Sequence, residues 1–165
     1  MDKLVVRGGR PLYGTLTVSG SKNTALALMA SGLLAEGTTT IRNVPALRDI
    51  HTFSRVIGVT GAEVTFDESD HRLEIDGSTA TKTVAPYALV KRMRASFYML
   101  GALLGRFGKA KVSLPGGCAW GPRAVDVHMQ GMQALGASID LEEGYEIASA
   151  PGGRMSGGVF EMQPS

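Results

Sequence analysis

The chain has 165 residues, a formal net charge of +2 and 44% hydrophobic residues, which excludes a disordered protein because a core can form. The single cysteine excludes an internal disulfide and a zinc site built from several thiolates. The apolar runs are shorter than the ~20 residues that cross a bilayer, and no signal peptide is recognisable. We therefore predict a cytoplasmic protein, and the mild charge gives no support to a nucleic-acid or membrane partner.

The predicted elements of the first half alternate between strand and helix. Apolar periodicity and turn residues predict strands at 3–7 and 12–19, a helix at 24–34, a strand at 38–44, a helix at 49–59, and strands at 63–66 and 72–75. The order then recurs, with a strand at 81–84, a long buried helix at 86–104, a strand at 111–114, a helix at 126–135, a hairpin of 139–141 with 145–148, and a last strand at 159–162.

The sequence contains an internal repeat. Asp49-Ile50-His51 matches Asp126-Val127-His128, and each triplet begins a predicted helix. We predict an α/β fold of repeated βαβαββ units over about 12–76 and 80–149, with a third unit beginning near 158. The second unit has extra residues within 116–125, and such insertions often carry function. Because the third unit stops after its first strand, we expect a fragment of a longer polypeptide or a chain that needs a partner.

Two basic motifs are candidates for binding anions. Gly20-Ser21-Lys22-Asn23 lies between a predicted strand and a helix, where free N–H groups and a lysine attract anions. The alternative is a plain turn in which Ser21 caps the helix and Lys22 is solvated. Lys91, Arg92 and Arg94 begin the long helix, either as a solvated basic face or, because an unpaired guanidinium beside apolar residues is costly, as an anion site.

The loop at 115–123 holds the only cysteine, between glycines and prolines. Cys118 is exposed by this pattern, and Arg123 can favour its thiolate, so we predict a reactive thiol rather than a buried one. Packing or capping is the expected role of His51 and His128. Asp49 and Asp126 are expected to begin helices, although carboxylates there can also bind a ligand.

The three motifs together resemble one family. Ser19-Gly20-Ser21-Lys22-Asn23, Lys91-Arg92-Met93-Arg94-Ala95-Ser96 and Leu114-Pro115-Gly116-Gly117-Cys118 occur in the order seen in the UDP-N-acetylglucosamine 1-carboxyvinyltransferase family of enolpyruvyl transferases. The resemblance covers the chain from Lys3 to its end, and the cysteine loop is its most specific part. It implies an inside-out α/β barrel of two lobes with three repeats each. The chain would be most of the N-terminal lobe, and residues 1–11 would pack with the missing second lobe.

The resemblance also implies a reaction and roles for individual residues. The enolpyruvyl group of phosphoenolpyruvate would pass to the 3′-hydroxyl of UDP-N-acetylglucosamine with release of phosphate, at the start of peptidoglycan synthesis. Cys118 would donate the proton and be the position that fosfomycin alkylates. Lys22, Asn23, Arg94 and Arg123 would contact phosphoenolpyruvate. The UDP-sugar would be held by Asn23, Arg94, Arg123, Ala124, Val125, Asp126 and Val127. We predict no metal and no cofactor.

Three interpretations stay open at this point. The chain belongs to this enzyme and is inactive without the missing C-terminal lobe, or it is a non-catalytic UDP-sugar-binding module or half of a split enzyme. A weaker alternative is the shikimate-pathway enolpyruvyl transferase. That sister enzyme normally has serine where this chain has Asn23, and it lacks the Gly-Gly-Cys loop.

Overall fold

The computed structural model describes residues 3–90, 93–113 and 125–162, without the side chains of Arg94 and Ser96. The first half contains α1 (Lys22–Ser31), a 3-10 turn (Gly32–Leu34), β1 (Thr38–Ile41), α2 (Arg48–Gly58), β2 (Glu63–Asp67) and β3 (Arg72–Asp76). The second half contains β4 (Val84–Ala85), α3 (Tyr87–Val90), a 3-10 helix (Arg94–Phe97), α4 (Tyr98–Phe107), β5 (Lys109–Ser113), α5 (Asp126–Ala134), β6 (Ser138–Glu142), β7 (Tyr145–Ser149) and a final 3-10 turn (Pro151–Gly153).

The strands of the described residues form two sheets with the same internal order. The first sheet is β1-β3-β2 and fully antiparallel, and the second is β4-β5-β7-β6, in which only β4 pairs in parallel. In both, a helix follows the first long strand and a hairpin completes the sheet, so the order of strand, helix and hairpin recurs in the two halves. The second hairpin turns at Glu143 and Gly144, both with positive φ, which is the type I′ geometry that matches strand twist.

The core lies between the inner faces of the sheets and the helices. In β3, Leu73 and Ile75 alternate with partly exposed polar residues, so that one face of the strand is fully buried. Helix α2 buries residues at helical spacing, including Ile50, Phe53 and Ile57. The prediction that the second half of the long helix is deeply buried is confirmed, because Met99, Leu100, Ala102, Leu103 and Leu104 all belong to the core. No helix in the described ranges is long and apolar enough to cross a membrane.

The predicted strands at 3–7 and 12–19 are wrong. Residues 3–20 form no helix or strand, and Leu4 and Leu12 are more than 90% exposed. The alternating pattern is present in the sequence, but a strand forms only where a neighbour supplies partners for its N–H and C=O groups. No described strand pairs with this segment.

Two further predictions need correction in the second half. The long helix at 86–104 is divided, since α3 ends at Val90 and a 3-10 helix at Arg94–Phe97 precedes α4. This tighter turn buries Phe97, whose ring meets His128 edge-on at 5.7 Å, so tertiary packing overrides the local helical pattern. The strand at 159–162 does not form either, because these residues have no strand partner among the described residues.

Arg106 of α4 links the two units. Its Nη1 donates hydrogen bonds to the carbonyl oxygens of Leu33 and Ala35, each at 2.6 Å, and its guanidinium lies 5.2 Å from the ring centroid of Phe107. These two carbonyls follow α1, where a helix leaves acceptors without partners. Arg106, from a helix of the second unit, therefore supplies hydrogen-bond donors to carbonyl groups that follow α1 of the first unit.

We expect Arg106→Met to lower the free energy of unfolding by about 2 kcal/mol, because it leaves two partly buried carbonyls without a charged donor. Urea denaturation followed by circular dichroism measures the change. Arg42→Met is the matched control, since Arg42 is exposed and forms no ion pair with a described residue. Equal losses in the two variants would contradict the assignment.

Candidate functional site

The start of α1 has the geometry of a capped helix. The Ser21 Oγ accepts a hydrogen bond from the backbone N–H of Thr24 at 3.4 Å, and the Ser21 carbonyl accepts from Ala25 at 3.0 Å. Ser21 is thus the N-cap, as one of the two alternatives for this motif expected. Lys22 and Asn23 are the first two helical residues, both are exposed, and the first turn contains no acidic residue. The positive end of the helix dipole is therefore reinforced by a lysine rather than neutralised.

Lys22 is paired with an acidic residue of the next helix. Its Nζ lies 2.8 Å from Oδ2 of Asp49, which is in the first turn of α2. Both side chains are about two-fifths exposed, at 44% and 41%. An ion pair with this exposure contributes at most about 1 kcal/mol, so an incoming anion can replace Asp49 as the partner of Lys22. The first turns of α1 and α2 are thus joined by an ion pair in which Lys22 can exchange its partner.

The backbone preceding this pair is tightly packed. A Cβ on Gly20 would collide with the carbonyl oxygen of Asn43, which belongs to the main chain rather than to a movable side chain. Asn43 has a φ of +56°, a conformation that asparagine tolerates better than most residues. Next to it, Val44 donates to the carbonyl of His71 at 2.9 Å. The loop before Lys22 is therefore fixed against the end of β1.

The second group of predicted site residues lies at the start of α5. Val125 is the N-cap, and its carbonyl accepts from His128 at 2.9 Å and from Met129 at 3.1 Å. No described side chain caps this helix, and the side chains of Asp126 and Val127 are exposed. Within the described part of the chain, the N–H groups of the first turn are thus without a side-chain acceptor, as is usual at a helix start.

The 3-10 helix Arg94–Phe97 connects these two groups. It contacts α2, whose first turn carries Asp49, and it contacts α5 through the ring of Phe97 against His128. Arg94 is the first residue of this helix, so its backbone lies near both α2 and α5. Cys118, Arg123 and Ala124 lie outside the described residues, as do Lys91 and Arg92, and their predicted roles remain predictions.

The two histidines of the repeat have packing environments. His51 lies 3.3 Å from a carboxylate oxygen of Glu68 and its ring centroid is 5.5 Å from that of Phe66. His128 packs on Phe97 as described above. Among the described residues, no group of three or more His, Cys, Asp or Glu side chains is placed to hold a metal ion.

Sequence reasoning gave two acidic residues less weight than the structure does. Asp49 was expected mainly as a helix-start residue, yet it is the partner of Lys22. Its signal was the repeat, in which Asp49 and Asp126 occupy equivalent first turns. Glu146 gave no signal, because a charged residue between the apolar Tyr145 and Ile147 is typical of the outward-facing positions of a strand. It is fully buried, and both carboxylate oxygens are without a hydrogen bond in the described part of the chain.

Comparison with solved structures identifies the class of fold. The enolpyruvyl transferase NikO from Streptomyces tendae matches with a TM-score of 0.70 and 26% identity, over 87% of this chain and 31% of that one. The EPSP synthase of Acinetobacter baumannii matches with a TM-score of 0.52 and 19% identity, over 82% of this chain and 30% of that one, which supports the fold alone. The predicted enolpyruvyl transferase fold is therefore confirmed.

Sequence comparison then gives the family. The profile of EPSP synthase (3-phosphoshikimate 1-carboxyvinyltransferase) matches residues 6–165, so the chain belongs to this family. A UDP-N-acetylglucosamine 1-carboxyvinyltransferase of Chloroherpeton thalassium is 55% identical over 100% of this chain and 38% of its own length. A protein of the same name from Rhodospirillum centenum is 50% identical over 95% of this chain and 38% of its length. The chain thus spans about 38% of the length of these relatives.

Proposed function

We propose that the chain is part of an enzyme that transfers the enolpyruvyl group of phosphoenolpyruvate to the 3′-hydroxyl of UDP-N-acetylglucosamine and releases phosphate. The observation that carries this proposal is identity of 55% over the whole chain to a relative named for that transfer. The geometry at Lys22 supports it, because an exposed lysine at a helix start can hold the anionic group that the reaction releases.

The chemistry is an addition followed by an elimination. The sugar hydroxyl loses its proton to a base and adds to the carbon that bears the phosphate, while Cys118 gives a proton to the methylene carbon. Loss of a proton from the new methyl group then expels phosphate and restores the double bond. Lys22, Arg94 and Arg123 hold the anionic groups of phosphoenolpyruvate, with Asn23 beside them.

The UDP-sugar completes this arrangement. Asn23 holds the sugar, with Arg94 and Arg123 nearby, and residues 124–127 line the uridine diphosphate pocket, partly through the accessible first turn of α5. We propose that the enzyme works in the cytoplasm, where both substrates are available. A further part of the protein has to form the other wall of the site, and the chain alone has little turnover.

The first test is the intact mass of the chain after incubation with fosfomycin, with and without UDP-N-acetylglucosamine. We expect one covalent adduct on Cys118 and faster labelling with the sugar present, because the activated thiolate attacks the epoxide. Cys118→Ser is the control and should remain unlabelled. A folded chain that gains no adduct under either condition contradicts an assembled site in the chain by itself.

A chimera separates the enzyme from a binding module. Residues 1–165 are joined to the remainder of the Chloroherpeton thalassium relative, and phosphate release is measured. Turnover with UDP-N-acetylglucosamine supports the proposed function. Sugar-nucleotide binding without phosphate release supports a binding module instead.

The family profile gives the second candidate, since it is described as 3-phosphoshikimate 1-carboxyvinyltransferase. Titration with shikimate 3-phosphate and with UDP-N-acetylglucosamine, read by calorimetry, distinguishes the two acceptors. We expect the chimera to bind only the UDP-sugar. Binding of shikimate 3-phosphate alone would support the second candidate.

A further inference from the structure

A strand of the second sheet carries a buried carboxyl group that has no hydrogen-bond partner among the described residues. Glu146 is at the second position of β7, has 0% exposure, and neither of its carboxylate oxygens has a hydrogen-bond partner among the described residues. It has no part in the proposed reaction. A buried polar group without a partner carries a desolvation cost, which is far larger when the group is charged.

The neighbours of Glu146 across the sheet are apolar. The register places Val112 of β5 on one side and Leu141 of β6 on the other, and Ala85 of β4 continues the same row beyond Val112. Directly paired residues share one face of a sheet, so the four side chains lie on the same face, where Ala85 and Val112 are buried and Leu141, on the edge strand, is 59% exposed. The row offers no donor to a carboxylate.

The described charged groups on the elements that pack against β7 lie elsewhere. On β5 and β6, alternation places the charged side chains on the outer face of the sheet, namely Lys109, Lys111, Asp140 and Glu142. From α4, Arg106 reaches the Leu33 and Ala35 carbonyls, and Tyr98 is exposed. On α5, His128 packs on Phe97, and Asp126 is exposed at the first turn. None of the described charged groups on these elements therefore faces Glu146, and its burial favours the neutral acid.

Strand β6 and helix α5 are less buried than helix α4. Helix α5 contacts β6 and has no fully buried residue, whereas α4 contacts β5 and β7 with a fully buried face. Strand β6 is an edge strand, and most of its side chains are exposed. If the carboxyl group must reach water, opening β6 and α5 disturbs fewer buried contacts than displacing α4.

We propose that Glu146 is a proton-operated latch, in which the neutral acid keeps the β6–β7 hairpin and α5 closed on α4 and the carboxylate favours their local opening. This device is independent of the proposed reaction.

The direction of the pH effect follows from linkage. Burial raises the pKa of Glu146 from 4.5 to about 7. Below pH 4.5 closed and open states both hold the proton, and between about 4.5 and 7 only the closed state does, so closure weakens as the pH rises. Above 7 both states are ionised and no further change follows. The whole rise in the pKa of Glu146 corresponds to a change of roughly 300-fold in the equilibrium constant for closing. Raising the pH from 6 to 8 lowers that constant by about tenfold.

Hydrogen exchange of the backbone amides at pH 6 and pH 8 tests the latch after correction for the intrinsic rate. We expect the amides of β6 and α5 to open about tenfold more often at pH 8 in the unaltered chain, while those of α4 change little. Glu146→Gln should abolish this difference, because it keeps the shape without the titration. Glu142→Gln is the matched control, since Glu142 is exposed on the same hairpin and should leave the difference intact.

A second measurement on the unaltered chain covers the case in which Glu146→Gln does not fold. The side-chain carboxyl carbon of Glu146, labelled with carbon-13, should titrate in the folded chain with a midpoint near 7. A midpoint near 4.5 overturns the proposal, as does a tenfold pH effect that survives in Glu146→Gln. A midpoint near 7 together with equal exchange at both pH values also overturns the latch, because the charge would then be tolerated without opening.

Discussion

Lys22→Met in the chimera is expected to lower kcat/KM for phosphate release by roughly 10²- to 10³-fold, because one cation facing the developing phosphate charge is lost. Methionine keeps most of the length of the side chain and leaves the backbone of α1 unchanged. The loss should be measured as phosphate released over time at several concentrations of phosphoenolpyruvate. The effect rests on Lys22 exchanging Asp49 for the substrate, as the exposure of the pair allows.

Two further variants make this prediction specific. Lys82→Met is the matched control, because Lys82 is exposed in the segment between the units and has no ion pair with a described residue. Asp49→Asn removes the resting partner of Lys22 without removing the cation, so its effect should be smaller than that of Lys22→Met. A Lys22→Met enzyme with unchanged kcat/KM would exclude Lys22 from the reaction.

Gly20→Ala is expected to cost about 3 kcal/mol of unfolding free energy, because the new Cβ would collide with the Asn43 carbonyl oxygen. The clash is with backbone on the other side of a tight contact, so the strand end and the start of α1 must separate. Urea denaturation measures the loss. Because Lys22 follows directly, the variant should also lose turnover in the chimera under conditions where it is still folded.

Gly37→Ala is the matched control for this effect. A Cβ on Gly37 meets nothing within 4 Å, and the residue lies in the same unit just before β1. We expect its stability to remain within about 0.5 kcal/mol of the unaltered chain. Similar losses in the two variants would mean that flexibility, rather than the close approach to Asn43, determines the effect.

The parts of the fold that the sequence predicted are those fixed by local signals. The helix start at Ser21 and the turn at Glu143-Gly144 each depend on a few neighbouring residues. The repeat could be found because it leaves matching residues at matching helix starts. The segment 3–19 failed because its strand character requires a partner that no described strand supplies.

The sequence predicted which residues belong to the candidate site better than it predicted the contacts between them. Lys22 and Asn23 were found from a motif, but the pairing of Lys22 with Asp49 depends on how two helices of one unit meet, which no local pattern contains. The buried position of Glu146 was missed for the opposite reason. A charged residue between the apolar Tyr145 and Ile147 is typical of an outward-facing position, and only the register with Val112 and Leu141 shows a carboxyl group among apolar neighbours.

The repeated unit also suggests how this site diverged after an ancestral duplication. Both copies begin a helix with an aspartate in its first turn, but the connection before it is 42–47 in one copy and 114–125 in the other. In the copy with the short connection, the aspartate, Asp49, forms an ion pair with Lys22. In the copy with the long connection, the equivalent Asp126 is exposed at the helix start. Two equivalent helix starts on the same strand order thus present their aspartates differently, one paired with a lysine of its own unit and one exposed after the longer connection.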